Sequence, residues 1–152
     1  MRLFKRTSDS EQFQMNSNQD ENDVALIYGG DPGDYTEQHY NNYLELTTDA
    51  TDTADPVDGI PDIPADGVSS CTITIQKKNG ETDADMVAAG DDDTVTLTNT
   101  RGALSVLQVD LVNGTADVTL TSVAETCISD IVASADGLDS GSIQIQFAPP
   151  VA

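Results

Sequence analysis

The sequence predicts an all-β fold, an antiparallel β-sandwich, and three observations support this prediction. The first is the alternation of apolar and polar residues in short segments after Gly67, most regular at 115–121. The second is a series of turn dipeptides between these segments, such as Asn113-Gly114 and Asp136-Gly137. The third is the number of such segments, six after Gly67. Short half-buried strands separated by regular turns are typical of a sandwich.

In each predicted strand every second residue is apolar, which gives one buried face and one wetted face. The strands cover residues 72–76, 94–98, 107–112, 115–121, 128–135 and 142–147. Their inward residues are Ile73, Ile75, Val95, Leu97, Ala116, Val118, Leu120, Ile131, Ala133, Ile143, Ile145 and Phe147. Because Asn113 and Gly114 can both adopt φ > 0, this turn predicts a hairpin between the third and fourth strands.

The first third of the chain has a different composition. Six of the seven aromatic residues lie there, at Phe4, Phe13, Tyr28, Tyr35, Tyr40 and Tyr43. Little sustained periodicity is present, so residues 1–46 are predicted to form an extended N-terminal arm, with a short helix from Asp34 to about Leu46. Residues 47–66 are rich in Asp, Thr and Pro and predict an acidic, extended linker. The sandwich then occupies residues 67–152.

The chain is strongly acidic, with a net charge of −21 and 6 lysines and arginines among 152 residues. Nucleic acid and anionic membrane surfaces are therefore not expected as partners, because both attract clustered cations. No apolar run is long enough to span a bilayer. The first residues carry cations without an apolar stretch behind them, so we expect no secretory signal and synthesis in the cytoplasm.

The order of motifs after Pro64 resembles a bacterial immunoglobulin-like domain of the invasin/intimin-type repeat group. These motifs are ADG–SSCTITIQ, KKNG, TVTLTNTRGALS, VDLVNGTADVTLTS, SDIVASADG and GSIQIQF. The resemblance extends to Phe147 and implies an immunoglobulin-like sandwich of about seven strands. Residues 81–93 depart from the family pattern, because this connection is longer and more acidic. Domains of this type resemble each other as stalks, decorations and adhesin modules, so the resemblance implies a non-enzymatic role.

Two cysteines, Cys71 and Cys127, open the second and sixth strands under this resemblance. Both have the parity of inward residues, and the immunoglobulin topology places these two strands in facing sheets. The resemblance therefore implies a disulfide between Cys71 and Cys127. A pair of free core thiols is the alternative, and cytoplasmic synthesis favours it.

The sequence offers little support for catalysis or for a cofactor. Aspartates recur along 52–66 and at 91–93, and calcium binding needs several convergent oxygens at set spacing. The alternation D-x-D-x-D-G of a calcium loop is missing, so solvated acidic loops are the simpler interpretation, and no metal or cofactor is expected. His39 is the only histidine, and no catalytic triad can be assembled around it. We therefore expect no catalytic residue and no enzymatic activity.

The aromatic arm indicates a partner surface, because few aliphatic residues accompany its rings. Tyrosine and phenylalanine are typical anchors at protein interfaces, and the N-terminal cations would complement acidic groups on the partner. The predicted partner-binding residues are Arg2, Phe4, Lys5, Arg6, Phe13, Tyr28, Tyr35, Tyr40 and Tyr43. The alternative is that the arm folds against the sandwich, as extra strands or as a small subdomain.

Together these features predict a structural protein of a phage virion. The arm would dock on the major capsid protein or another shell protein, and the immunoglobulin-like domain would project outward as a decoration or cement protein. Copies on the particle would be able to form a homo-oligomer. The alternatives are a bacterial cell-surface adhesin or surface-layer module, and a carbohydrate-binding module.

Overall fold

The structure is a computed structural model, and it divides the chain into two compact units, Met1–Tyr40 and Asn41–Ala152. The residues it describes are 2–6, 12–15, 35–38, 40–54 and 56–150. Within these ranges, no helix has the length and apolar character needed to cross a membrane.

The first unit contains a three-stranded antiparallel sheet with the strand order β2-β1-β3. Its strands are β1 (Arg2–Arg6), β2 (Gln12–Met15) and β3 (Tyr35–Gln38). These three segments pair with one another into a small sheet instead of running as an unpaired arm. The predicted helix over 34–46 is wrong, because β3 and a strand beginning at Tyr43 occupy most of that range.

The second unit is a β-sandwich, which confirms the predicted all-β, immunoglobulin-like fold. Its strands are β4 (Tyr43–Thr48), β5 (Asp62–Pro64), β6 (Ser70–Lys78), β7 (Thr94–Asn99), β8 (Ala103–Leu104), β9 (Gln108–Asp110), β10 (Thr115–Thr121), β11 (Cys127–Ser134) and β12 (Gly141–Ala148). One sheet has the order β4-β6-β10-β8, and the other has the order β5-β12-β11-β7-β9. Neighbouring strands are antiparallel except β5 and β12, which are parallel.

The core lies between the two sheets, and most of its residues are the alternating ones that the sequence predicts. The fully or almost fully buried ones are Ile73, Ile75, Val95, Leu97, Val118, Leu120, Ile131, Ala133, Ile145 and Phe147. Ala116 and Ile143 are half-buried and pack against this cluster. Because burying one large apolar side chain contributes roughly 1.5–3 kcal/mol, these residues are the main source of the stability of the sandwich.

The hairpin predicted across Asn113-Gly114 is wrong, although the turn itself is present. Both residues have positive φ angles, 51° and 79°, and Val112 N donates to Thr115 O at 2.9 Å. Beyond the turn the strands part, because β9 pairs with β7 in one sheet and β10 pairs with β6 in the other. Strand β10 pairs with β6 over seven residues. Leu120 of β10 therefore enters the core from the sheet opposite to the one that contains β9.

The sandwich unit begins at Asn41, earlier than the boundary at 67 that the sequence predicts. Strands β4 and β5 come from the segments assigned to the arm and the linker. Strand β4 buries Leu44 and Leu46, and β5 buries Ile63. These strands were missed because each contributes only one or two apolar residues, too few for a recognisable alternation.

The rest of the predicted linker is ordered by its aspartates. Asp52 accepts hydrogen bonds from Ala54 N at 3.1 Å and from Gly59 N at 2.6 Å. Asp62, only 8% exposed, accepts from Thr53 N at 2.6 Å and from Thr53 Oγ1 at 3.0 Å. Side-chain acceptors of this kind hold turns without regular secondary structure. These aspartates therefore satisfy main-chain and hydroxyl donors within the segment.

Candidate functional site

The predicted partner-binding residues lie in both units. On the sheet of the first unit are Arg2, Phe4, Lys5 and Arg6 in β1, Phe13 in β2 and Tyr35 in β3. The register places Phe4 opposite Phe13, and Arg6 opposite Tyr35. The pairing thus brings aromatic positions from three separate sequence segments onto one small sheet.

Three other residues named in the sequence analysis lie elsewhere. Tyr28 and His39 fall outside the described residues. Tyr40, which is 43% exposed, is the last residue of the first unit. The assignment of Tyr28 and Tyr40 to a partner therefore stays a prediction.

Tyr43 belongs to the sandwich and not to an arm. It is the first residue of β4, and its hydroxyl donates to Asp83 Oδ1 at 3.0 Å. Desolvation, followed by the adjacent Asp83 carboxylate, raises the pKa of Tyr43 above its ordinary value. One residue earlier, Asn42 Oδ1 accepts from Gly80 N at 3.1 Å. The start of the sandwich is therefore tied to residues 79–93, the connection between β6 and β7 that is called the acidic loop below.

The acidic loop is anchored by an ion-pair network centred on Lys77. This lysine follows Ile73 and Ile75 on the inward face of β6 and is 8% exposed. Its Nζ lies 2.6 Å from Asp93 Oδ2 and 3.1 Å from Asp91 Oδ1. The hydrogen bond to Asp93 outweighs desolvation and raises the pKa of Lys77. The inward parity of this lysine is the signal in the sequence that could have revealed the network.

Lys78, the next residue, makes a comparable contact at the surface. Its Nζ lies 2.8 Å from Asp85 Oδ1 and 3.5 Å from Glu45 Oε2. The side chains of Asp85 and Glu45 are 58% and 46% exposed, so water competes for these charges. Two adjacent lysines thus pair with carboxylates in different environments.

Main-chain contacts hold the acidic loop against the turn between β9 and β10. Met86 N donates to Lys77 O at 2.9 Å, and Gly114 N donates to Asp91 O at 2.8 Å. Gly114 has a φ of +79°, and a Cβ atom at this position would lie 1.7 Å from Met86 O. Only glycine tolerates both the positive φ and the lack of room for a Cβ atom. The same residue therefore allows the turn to form and the acidic loop to pack against it.

Cys71 and Cys127 are free thiols in the structure, so the disulfide implied by the resemblance is not formed. Cys71 is buried at 5% exposure, and burial raises the pKa of its thiol. Cys127 is only half-buried at the start of β11, and its Sγ lies 3.5 Å from Glu125 O. Both cysteines therefore have the predicted inward parity, but Cys127, at the start of its strand, is only partly buried against the core.

The described part of the chain contains no group of three or more His, Cys, Asp or Glu residues placed to hold a metal ion.

A surface depression of about 380 Å³ is lined by Gly59, Ile60, Pro61, Asp130, Ser142, Ile143 and Gln144. Gln144 Nε2 donates to Asp130 Oδ1 at 2.7 Å, so these two polar side chains of the depression pair with each other.

No family model matches this chain, and no curated protein matches it in sequence. Several solved structures are similar to it. The D00-D0 domain of intimin aligns over 73% of this chain and 50% of its own, with 17% identity and a TM-score of 0.51. A glycosyl hydrolase family 2 member from Bacteroides cellulosilyticus aligns over 96% of this chain and 21% of its own, with 12% identity and a TM-score of 0.59. A C-terminal 282-residue fragment of intimin, in complex with the intimin-binding domain of the translocated intimin receptor, aligns over 68% of this chain and 32% of its own, with 24% identity and a TM-score of 0.48.

The likeness to the intimin D00-D0 domain confirms that the sandwich has the bacterial immunoglobulin-like fold of the invasin/intimin type. The chain spans half or less of the length of each of these structures. A domain of the same general architecture is also present in the hydrolase, and a shared fold does not by itself specify a function.

Proposed function

We propose that this chain is a non-enzymatic structural protein that presents an immunoglobulin-like domain on a larger protein assembly. The assembly we propose is a phage particle. The first unit docks on the major capsid protein or another shell protein, and the sandwich projects outward as a decoration of the virion. The likeness of the sandwich to a domain of intimin supports the immunoglobulin-like fold of the projected domain.

The observation that carries this proposal is the division of the chain into a sandwich unit with its own core and an aromatic-rich first unit. The sandwich has its own core, and every buried side-chain polar atom in the described residues has a hydrogen-bond partner. Its only aromatic residues are Tyr43, which bonds Asp83, and the fully buried Phe147.

The other five aromatic residues lie within residues 1–40, together with Arg2, Lys5 and Arg6. Aromatic side chains and arginine are the residue types that most often anchor protein interfaces. This distribution favours the first unit as the docking element and the sandwich as the projected domain.

A cell-surface adhesin or surface-layer module is the second candidate, and the likeness to intimin favours it. The two candidates differ in where the protein is found. An antibody against the sandwich would detect a decoration protein in particles banded on a density gradient, in fixed ratio to the shell protein. It would detect an adhesin on intact cells labelled with a membrane-impermeant reagent.

Deletion of residues 1–40 tests the docking role of the first unit directly. We expect the truncated chain to lose particle binding and to keep the melting temperature of the sandwich, because the core residues with a described burial all lie within residues 41–152. Full binding by the truncated chain would refute the docking role. A sandwich that unfolds on truncation would refute the claim that it is self-sufficient.

A further inference from the structure

The acidic loop is not explained by the fold or by a docking role of the first unit. It is the segment that departs from the immunoglobulin-like pattern, and residues 81–93 hold six acidic residues and no lysine or arginine. Between the acids lie Met86, Val87, Ala88 and Ala89, and all except the half-buried Met86 are exposed.

The loop and the adjacent turn carry apolar residues, and the set Met86, Val87, Ala89 and Val112 is called the tip patch below. Val87 is 65% exposed and Val112 is 67% exposed. The two segments are joined where Gly114 N donates to Asp91 O and where Gly114 abuts Met86 O. Each valine lies within two residues of this junction along the chain. Single exposed valines need no explanation, but these two lie on segments that a built contact holds together.

The tip patch is held in place by many contacts. Besides the bonds of Lys77 to Asp91 and Asp93, Ala88 N donates to Asp91 Oδ2 at 3.1 Å, and Asp91 N donates to Ala88 O at 3.0 Å. Asp91 therefore fixes the apolar stretch from both its side chain and its backbone. A surface that is already ordered loses little conformational entropy on binding, which is the property of a preorganised interface.

We propose that the tip patch is a docking site for a second protein whose surface presents an apolar contact surrounded by lysine or arginine. The charge of the loop specifies this chemistry. Exposed carboxylates flank the apolar residues at Glu81, Asp83, Asp85 and Asp92. A basic rim complements them, whereas an acidic rim is repelled. A second copy of this chain is a poor occupant, because each copy carries a net charge of −21.

The test is a selection of random displayed peptides on the full-length chain, which can be carried out before the partner is identified. We expect the enriched peptides to combine an apolar residue with lysine or arginine, and to bind more weakly as salt is added. Their affinity should fall roughly tenfold or more for the V87D/V112D variant. The matched control is V57D/V68D, which changes two valines that are 73% and 76% exposed elsewhere on the sandwich. It should bind the peptides as the wild type does.

Three results would each overturn the proposal: no enriched binder, enriched peptides without cations, or equal binding to V87D/V112D and the wild type. All four valines are exposed, so both variants should keep the wild-type melting temperature. The outcome is separable from the proposed function, because a chain lacking residues 1–40 should lose particle binding yet still bind the selected peptides.

Discussion

Replacement of Lys77 by methionine is the sharpest test of how the acidic loop is held. Methionine has a similar length and is apolar, so the variant removes the charge while largely keeping the packing. It leaves Asp91 and Asp93 without their cation, and Asp91 is only 8% exposed. Removing one partner of a buried ion pair costs about 3–5 kcal/mol. Because the Asp93 side chain keeps 28% exposure and can rehydrate, we expect the lower end, about 3 kcal/mol.

The control is the same substitution one residue later. Lys78 also contacts two carboxylates, but Asp85 and Glu45 are largely exposed. Exposed pairs are weakened by water and salt, so K78M should change the stability little. The assay is urea unfolding followed by circular dichroism, with the midpoint and slope compared between the two variants. Equal effects of K77M and K78M would refute the argument from burial.

A triple variant separates charge burial from packing. K77M/D91N/D93N removes the lysine and both carboxylate charges together, so no uncompensated charge remains near the core. We expect it to recover most of the stability that K77M loses, since replacing a whole buried network is often close to neutral. If the triple variant is as unstable as K77M, the loss comes from packing or from the hydrogen bonds of Asp91, and not from an unpaired charge.

The remaining predictions concern backbone strain, acid stability and the thiols. G114A should lower the unfolding free energy by about 3 kcal/mol or more, and G137A by about 1 kcal/mol. Both glycines have a positive φ, but only Gly114 lies against the backbone of another segment. Equal losses of stability in the two variants would contradict this account of the turn. Hydrogen bonds from Ser69 and Val68 lower the pKa of Asp66 from 3.8 to about 2. The Asp66 carboxylate therefore stabilises the fold fully at a pH above its ordinary pKa, and this stabilisation is lost as the pH falls through the lowered pKa. D66N should therefore destabilise the sandwich at neutral pH and converge with the wild type near the lowered pKa; a difference that does not vary with pH would count against this assignment. A thiol reagent should modify Cys127 in the native protein and Cys71 only after unfolding, whereas two unreactive cysteines in the unfolded, unreduced chain would show that a disulfide exists.

Much of the sandwich was predictable because its longer strands alternate strictly. Residues such as Ile73, Leu120 and Ile145 were assigned to the core from parity alone, and all three are fully buried. The turn at Asn113-Gly114 was predictable for a similar reason, since its two residues are those that tolerate positive φ. These are local properties, and a short window of sequence contains them.

The pairing of strands was decided by the tertiary structure. The same Asn113-Gly114 turn joins strands in different sheets, because β10 finds its long partner in β6 and β9 finds its partner in β7. Likewise, Leu44 and Leu46 become core residues only because β6 lies beside them. Strand pairing depends on contacts between distant segments of the chain, so no local sequence pattern can determine it.

The candidate site shows the same division. Composition alone shows that residues 81–93 combine acidic and apolar residues, and their length and acidity depart from the immunoglobulin-like pattern. Only the fold placed Lys77 within 2.6 Å of Asp93 and brought Gly114 against Met86, which turns that segment into a fixed surface. The physical reason is that charge and apolarity belong to single residues, whereas burial, pairing and preorganisation depend on what the rest of the chain brings next to them.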